Sequence, residues 1–182
     1  MVFKEIALFL VSSLFSLYIT IVMLRFLLAT RRADFHNPVS QFLVQATNPL
    51  LVPLRRIIPP IGQIDTASLV LAFILQFIQI VLLTQIMGVS PGGLFIAVAS
   101  IAELTRLVIW IFIIALIVQA VLSWVGTASA SPVAPLLEDL TDPILRPIRQ
   151  FVPAMGGLDL SPLVAILILQ VILIALGSLP AI

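Results

Sequence analysis

The chain has 182 residues, 62% of them hydrophobic and only 9% charged, where a soluble domain carries roughly 25% charged residues. Its mean hydropathy of +1.28 means more apolar surface than a water-soluble fold of this length can hide, so the bilayer must serve as part of its solvent. A net charge of +1 is too small to suggest a nucleic-acid partner, and the absence of cysteine excludes disulfides, thiolate chemistry and cysteine metal sites.

Four stretches are long enough to cross a bilayer as helix, which takes about 20 mostly apolar residues. They run near Ile6 to Ala29, Thr66 to Met87, Leu104 to Val125 and Pro162 to Ile182. The first is too long for the apolar region of a signal peptide. It ends in Arg31-Arg32 rather than at a small-residue cleavage site, so it reads as a retained helix. The charge-free residues 88–102 read as a short external loop between a first unit, 1–87, and a second, 103–182.

Orientation follows from the basic residues. Arg25, Arg31, Arg32, Arg55 and Arg56 accompany the connection after the first span, and Arg146 and Arg149 the connection after the third. Only Lys4 and Arg106 lie toward the other side. Positive residues concentrate on the cytoplasmic side of membrane proteins, which places both long connections in the cytoplasm and both termini outside.

Residues 37–80 match residues 131–174 without a gap, at a constant offset of 94. Pro38, Thr47, Pro49, Pro53, Arg55, Pro59, Gly62 and Asp65 recur as Pro132, Thr141, Pro143, Pro147, Arg149, Pro153, Gly156 and Asp159, and Ile74-Leu75-Gln76 returns as Ile168-Leu169-Gln170. Self-similarity at one period marks a repeat architecture. Each unit is then a span, a Pro-rich connection and a second span. Two crossings return the chain to its starting side, so the units form parallel repeats about an axis along the membrane normal.

Each connection reads as a pair of short amphipathic helices, near 38–47 and 49–58, and again near 132–141 and 143–152. Asn37-Pro38 and Asn48-Pro49, like Ser131-Pro132 and Asp142-Pro143, place a capping residue before a proline, a helix-start signal. Val39, Phe42, Leu43 and Ala46, then Leu50, Leu51, Leu54, Ile57 and Ile58, supply apolar faces, with Arg55 and Arg56 pointing elsewhere. Pro53 and Pro147 should kink the second helix of each pair, and Pro59, Pro60 and Gly62 should turn the chain back toward the membrane. Two readings stay open. The helices lie in the interface as anchors, with arginines on lipid phosphate, or they dip inward as broken helices lining a site between the repeats.

Asp65 and Asp159 precede the second span of each unit, as N-caps or as partners of Arg55 and Arg149; cation coordination is the functional alternative. Gln76 and Gln170 lie near the bilayer centre, where amides hydrogen-bond across helices or line a polar path, to which Gln79 and Gln119 would add. Glu103 and Arg106, three apart at the start of the third span, can pair near the interface. His36 reads as a surface residue. Arg55, Asp65, Gln76, Arg149, Asp159 and Gln170 are therefore the candidate set, functional or structural. No spacing resembles a catalytic site, a metal cluster or a cofactor fingerprint.

The series Asn37-Pro38 and Asn48-Pro49 through Asp65, repeated as Ser131-Pro132 and Asp142-Pro143 through Asp159, resembles the bacterial YggT family, whose plastid and Gram-positive relatives are called YlmG. Nearly the whole chain is covered, in what looks like the two-copy form. The resemblance implies a small inner-membrane protein without established enzymatic activity, associated with osmotic-stress tolerance, ion balance and membrane organisation or assembly. The expectation is an all-α membrane protein of four transmembrane helices. Its role is that of a membrane-organising or assembly factor, in contact with anionic lipid head groups and other membrane proteins. The alternative is a small cation channel or transporter with a path between the repeats.

Overall fold

A computed structural model describes residues 2–31, 33–62, 64–125, 131–152 and 159–177. These residues form six helices: α1 (Val2–Thr30), α2 (Pro38–Ile57), α3 (Thr66–Met87), α4 (Gly93–Val125), α5 (Ala134–Arg149) and α6 (Ser161–Leu176). The described residues contain no strand beyond an isolated bridge between Ile61 and Ile64.

α1, α3 and α4 are each long and apolar enough to cross a membrane. A helix without a polar face suits either a large core or a bilayer, and here Phe9, Leu14, Leu17, Ile114 and Ile117 point outward uncovered. α6 is equally apolar but shorter over its described 16 residues; the rest of the expected fourth span, 178–182, lies outside the described residues, as does Arg32. α4 begins at Gly93, so residues 93–102, read above as loop, are helical. Pro91 and Gly92 end the turn, and Leu94, Phe95, Ile96 and Val98 carry an uninterrupted apolar helix onto the face of α3, where Ile96 and Ala99 bury against Ile80.

α1 packs along α3, α3 along α4, and α4 against α5 and α6. The main core joins Ile19, Val22 and Met23 of α1, Leu51 of α2, Leu71 and Ala72 of α3, Ile111 and Ala115 of α4 and Leu140 of α5. A second core joins Ile109, Ile113 and Leu116 of α4, Leu145 of α5, and Ala165 and Leu169 of α6. α2 and α5 share one end of the bundle, tied there by Leu28, Leu43 and Leu136 and by an Asn37 Nδ2 hydrogen bond to the Pro132 carbonyl.

The expected pair of short helices in each connection is one continuous helix. Asn37 does cap α2, its Oδ1 accepting from the Val39 N–H, and Pro38 sits where a missing N–H costs nothing. At Asn48-Pro49 no second start occurs; the Asn48 Oδ1 that could cap one accepts from Arg25 Nη1, at 2.9 Å. The helix then runs through Pro49 and Pro53 to Ile57. α5 likewise runs through Pro143 and Pro147. It starts at Ala134 rather than Pro132, since Pro135 takes the first-turn position, and it ends at Arg149, short of the expected residue 152.

The buried stripes also differ from the apolar ones read from spacing. Ser40, Leu43, Thr47 and Leu51 face the bundle from α2, and Phe42, Leu50 and Ile57 face out. Ile58 ends α2 in an extended conformation, as a residue before proline prefers. Gly62, at φ 61°, turns the chain toward α3; the matching turn at Pro153 and Gly156 lies outside the described residues.

Leu51 and Leu145 are both fully buried at equivalent repeat positions. Replacing either with alanine should cost about 2–5 kcal/mol, read as a fall in Tm in detergent. Phe151→Ala, at a side chain 83% exposed, should change stability by no more than about 0.5 kcal/mol and leave Tm nearly unmoved.

Candidate functional site

Among the described residues, three polar clusters besides the contacts of Arg25 interrupt the apolar bundle. The first two are the turns that close each connection. Arg55 Nη2 pairs with Asp65 Oδ2 at 2.5 Å, and the Ser68 hydroxyl donates to the same oxygen at 2.6 Å. Asp65 is the N-cap residue of α3, so its charge also meets the positive end of the helix dipole. Arg149 Nε pairs with Asp159 Oδ2 at 3.0 Å. Asp159 stands one residue farther out, its Oδ1 accepting from the Ser161 N–H at 2.9 Å, because α6 begins later, with Leu160 as its cap. The candidate residues Arg55 with Asp65, and Arg149 with Asp159, are thus brought together within each unit rather than between units.

The two turns are not equal. Asp65 is 12% exposed and Asp159 37%, and Arg149 also lies 3.9 Å from Asp142, which pairs with Arg146. Burial alone would raise the Asp65 carboxyl. Hydrogen bonds from Arg55 and Ser68, with the Arg55 charge, outweigh it and hold the group below the usual carboxylate range. For Asp159 burial is likewise opposed, by Ser161 and Arg149, with the same net direction.

The third cluster is a cavity of about 350 Å³ among α1, α3 and α4, lined by Ser12, Ser16, Gln76, Gln79, Glu103 and Arg106, with Trp110 at its edge. Gln76 Nε2 donates to Gln79 Oε1 at 3.1 Å, and Gln79 Nε2 reaches the Ser12 carbonyl and the Ser16 hydroxyl. Arg106 Nη1 pairs with Glu103 Oε1 at 2.7 Å, while its Nη2 donates to the Leu176 carbonyl at 2.8 Å, at the end of α6. Because α4 starts at Gly93, Glu103 and Arg106 lie about 15–20 Å along the helix, not at its beginning as expected. Ionisable side chains inside a spanning segment mark functional positions by default. Sequence reasoning underrated this pair because the helix start was placed too late. The pair's signal was present in the apolar run from Leu94 onward.

Gln170 does not mirror Gln76. It is half-buried and makes no side-chain hydrogen bond among the described residues, since Leu173 occupies the position equivalent to Gln79. Gln119 joins no path either; its Oε1 meets the Thr141 hydroxyl. His36 is exposed beside Asp34. Among the described residues no group of three or more His, Cys, Asp or Glu could hold a metal ion.

Sequence reasoning also missed Arg25 as more than a charge marker. Only 5% exposed, it reaches from α1 into α2, with Nη1 donating to the Val44 carbonyl, the Thr47 hydroxyl and Asn48 Oδ1. Tyr18 adds a bond to the Ala46 carbonyl at 3.2 Å.

The CCB3/YggT family model matches the chain twice, over residues 5–86 and 98–180. An uncharacterised protein of Pseudomonas aeruginosa is 47% identical over 168 residues, covering 91% of this chain and 85% of its own length. The uncharacterised protein YggT of Escherichia coli K12 is 42% identical over 168 residues, covering 90% and 85%. The chloroplastic YlmG homolog protein 2 of Arabidopsis thaliana is 39% identical over 93 residues, 51% of this chain and 35% of that protein. No solved structure matches.

Asp65→Ala should lower Tm in detergent more than Asp159→Ala, because the Asp65 bonds are better shielded from water. With its folded pKa depressed, the Asp65 contribution is complete above the unfolded carboxylate value of about 3.9 and is lost as pH falls through the lower folded value. The gap between wild type and Asp65→Ala should therefore be constant near neutral pH and close in strong acid.

Glu103→Leu should cost on the order of 3 kcal/mol by removing the carboxylate that pairs with Arg106. Adding Arg106→Leu should recover part of that loss. A double variant no more stable than the single would make the pair incidental to the bundle.

Proposed function

Because the chain belongs to the CCB3/YggT family, we propose that it is a non-catalytic polytopic protein of the bacterial inner membrane that organises or assembles membrane components, in the setting of envelope and osmotic stress. Its working form has four spans in two parallel repeats. The two successive family matches and the constant sequence offset support that arrangement. The described part of α6, about 24 Å long, reaches Arg106 of α4 at its end, which is consistent with a fourth crossing. The arginine distribution sets α2 and α5 on the cytoplasmic side and both termini in the periplasm.

One observation carries the reading: the most elaborated polar contacts hold α2 and α5 in fixed positions at one end of the bundle. Arg25, Thr47 and Asn48 hold the middle of α2, Arg55 and Asp65 hold its end, and Arg149 and Asp159 do the same for α5. Two rigid helices remain, with Phe42, Leu50, Ile57 and Phe151 uncovered and with Arg31, Arg56 and Arg146 exposed nearby. Such a surface suits the boundary between acyl chains and anionic head groups, and neighbouring membrane proteins seated there. A cation path between the repeats is the weaker reading. Among the described residues, the polar interior between the repeats is closed by the Glu103–Arg106 ion pair, and its arginine opposes a passing cation.

Spin labels at Phe42 and Ile57 in liposomes should report lipid contact, and a label at Arg56 should report water. Equal water exposure at all three would remove the interfacial arrangement. A reporter active only in the cytoplasm and fused after Ile182 should be silent, and activity there would invert the topology. Ion flux through the purified protein in liposomes, absent without it, would replace the organising role with a conducting one.

A further inference from the structure

At the end of the bundle where α1 meets α2 lies a cavity of about 520 Å³, lined by Arg25, Arg55, Gln41, Gln45, Ala29 and Phe35. Arg25 is 5% exposed and sits about 7.5 Å before the end of α1, the depth of lipid head groups if α2 lies on the membrane surface. Its Nη1 meets three acceptors of α2. Its Nε and Nη2 make no hydrogen bond among the described residues, although the side chain lines the cavity. A buried guanidinium is costly unless an anion meets it, and no carboxylate lies within ion-pair distance of Arg25, Asp65 acting on it only from farther off. The acid in this region, Asp65, is already engaged by Arg55 and Ser68, and no acidic residue lines the cavity.

The other half of the chain shows what this place looks like without such a task. At the same offset, Arg25 becomes Gln119, Val44 becomes Glu138 and Gln45 becomes Asp139. Gln119 simply bonds Thr141, and the space beside it, about 50 Å³, has Asp159 in its wall. One half is thus a larger space lined by two arginines, with Asp65 bound to Arg55 but outside the lining. The other is small, with one arginine, Arg149, and its partner Asp159 both in the wall.

We propose that the α1–α2 cavity binds a phosphate group, with Arg25 and Arg55 as its charged donors and the Gln45 amide as a neutral one. The inference rests on the membrane-surface reading of α2 and goes beyond it by naming a site and a ligand class. The planar fork of arginine matches phosphate oxygens in pairs. The phosphate can belong to a lipid, whose glycerol would lie against Ala29 and Phe35, or be free.

The test uses the full chain, delipidated in neutral detergent. Three probes are titrated while Tm is followed: dihexanoyl phosphatidylglycerol, inorganic phosphate, and dihexanoyl glycerol, which lacks phosphate. A saturable rise in Tm with the phosphatidylglycerol alone assigns the site to a lipid. An equal response to inorganic phosphate assigns it to the free ion. Arg25→Gln should weaken binding at least tenfold while keeping the fold, because a glutamine facing threonine is the arrangement already present at Gln119 and Thr141. Gln45→Glu, which puts a carboxylate at the mouth, should weaken it similarly without touching the α1–α2 contacts, and Arg146→Gln should not change it. An equal response to dihexanoyl glycerol, no response to either phosphate probe, or binding that survives both Arg25→Gln and Gln45→Glu would overturn the site. Spin labels on α2 that still report lipid contact in that case would leave the membrane-surface reading intact.

Discussion

A backbone carbonyl or amide without a partner is tolerable in water and costs several kcal/mol in hydrocarbon, and the helix ends and interruptions of this molecule are arranged around that cost. α3 ends in a left-handed Gly88, with the Val89 N–H returning to the Thr84 carbonyl, and Lys4 donates to the Met87 carbonyl. α6 ends on the Arg106 guanidinium. In α2, Pro49 and Pro53 each remove a backbone donor, and the surrounding stretch is where Arg25 and Tyr18 reach across from α1 to the Val44 and Ala46 carbonyls. Lys4 and Arg106, which look like isolated charges in an apolar sequence, are partners for backbone ends.

The same principle accounts for the differences between the halves. They share prolines, buried threonines and the Arg–Asp turns, which are what a connection needs in order to leave one helix and enter the next. They differ in where the interior charge is placed. The first half carries Arg25 at the α2 end and neutral Ser12 and Gln79 deeper in. The second carries neutral Gln119 at that end and Arg106 deeper in, with Asp142 answering Arg146 and Arg149. Thr47 and Thr141 keep the same role in both, each bonding the carbonyl one turn back, while the residue approaching them changes from cation to amide.

For function, this concentrates attention on two places. One is the end where α2 and α5 are fixed by ion pairs and present uncovered apolar side chains. The other is the inner cavity around Glu103 and Arg106, where an ion pair, two amides and two serines share an interior otherwise built of aliphatic packing. Neither holds the paired nucleophile and base, or the cluster of ligands, on which enzymatic chemistry depends among the described residues.

Composition and hydropathy were sufficient to point the chain toward a membrane, since 62% hydrophobic residues exceed what a water-soluble fold of this length can hide, and apolar runs of about 20 residues pointed to helices. The matched prolines and the Arg–Asp spacing also showed in sequence, because a turn between helices is a local event and its residues are neighbours. What needed the tertiary structure was every feature set by a residue from another helix. Asn48-Pro49 is a valid helix start locally, yet α2 continues through it, with the capping oxygen bound to Arg25, 23 residues earlier. Ser40 and Thr47 look polar and exposed by pattern, yet face the bundle because their small side chains let α2 approach α1 and its neighbours. Gln76 and Gln170 are equivalent in sequence and not in place, because Gln79, Ser12 and Ser16 gather around one and an aliphatic residue stands beside the other. Periodicity records the face a helix could bury; the partner that arrives there decides which side chains it does bury.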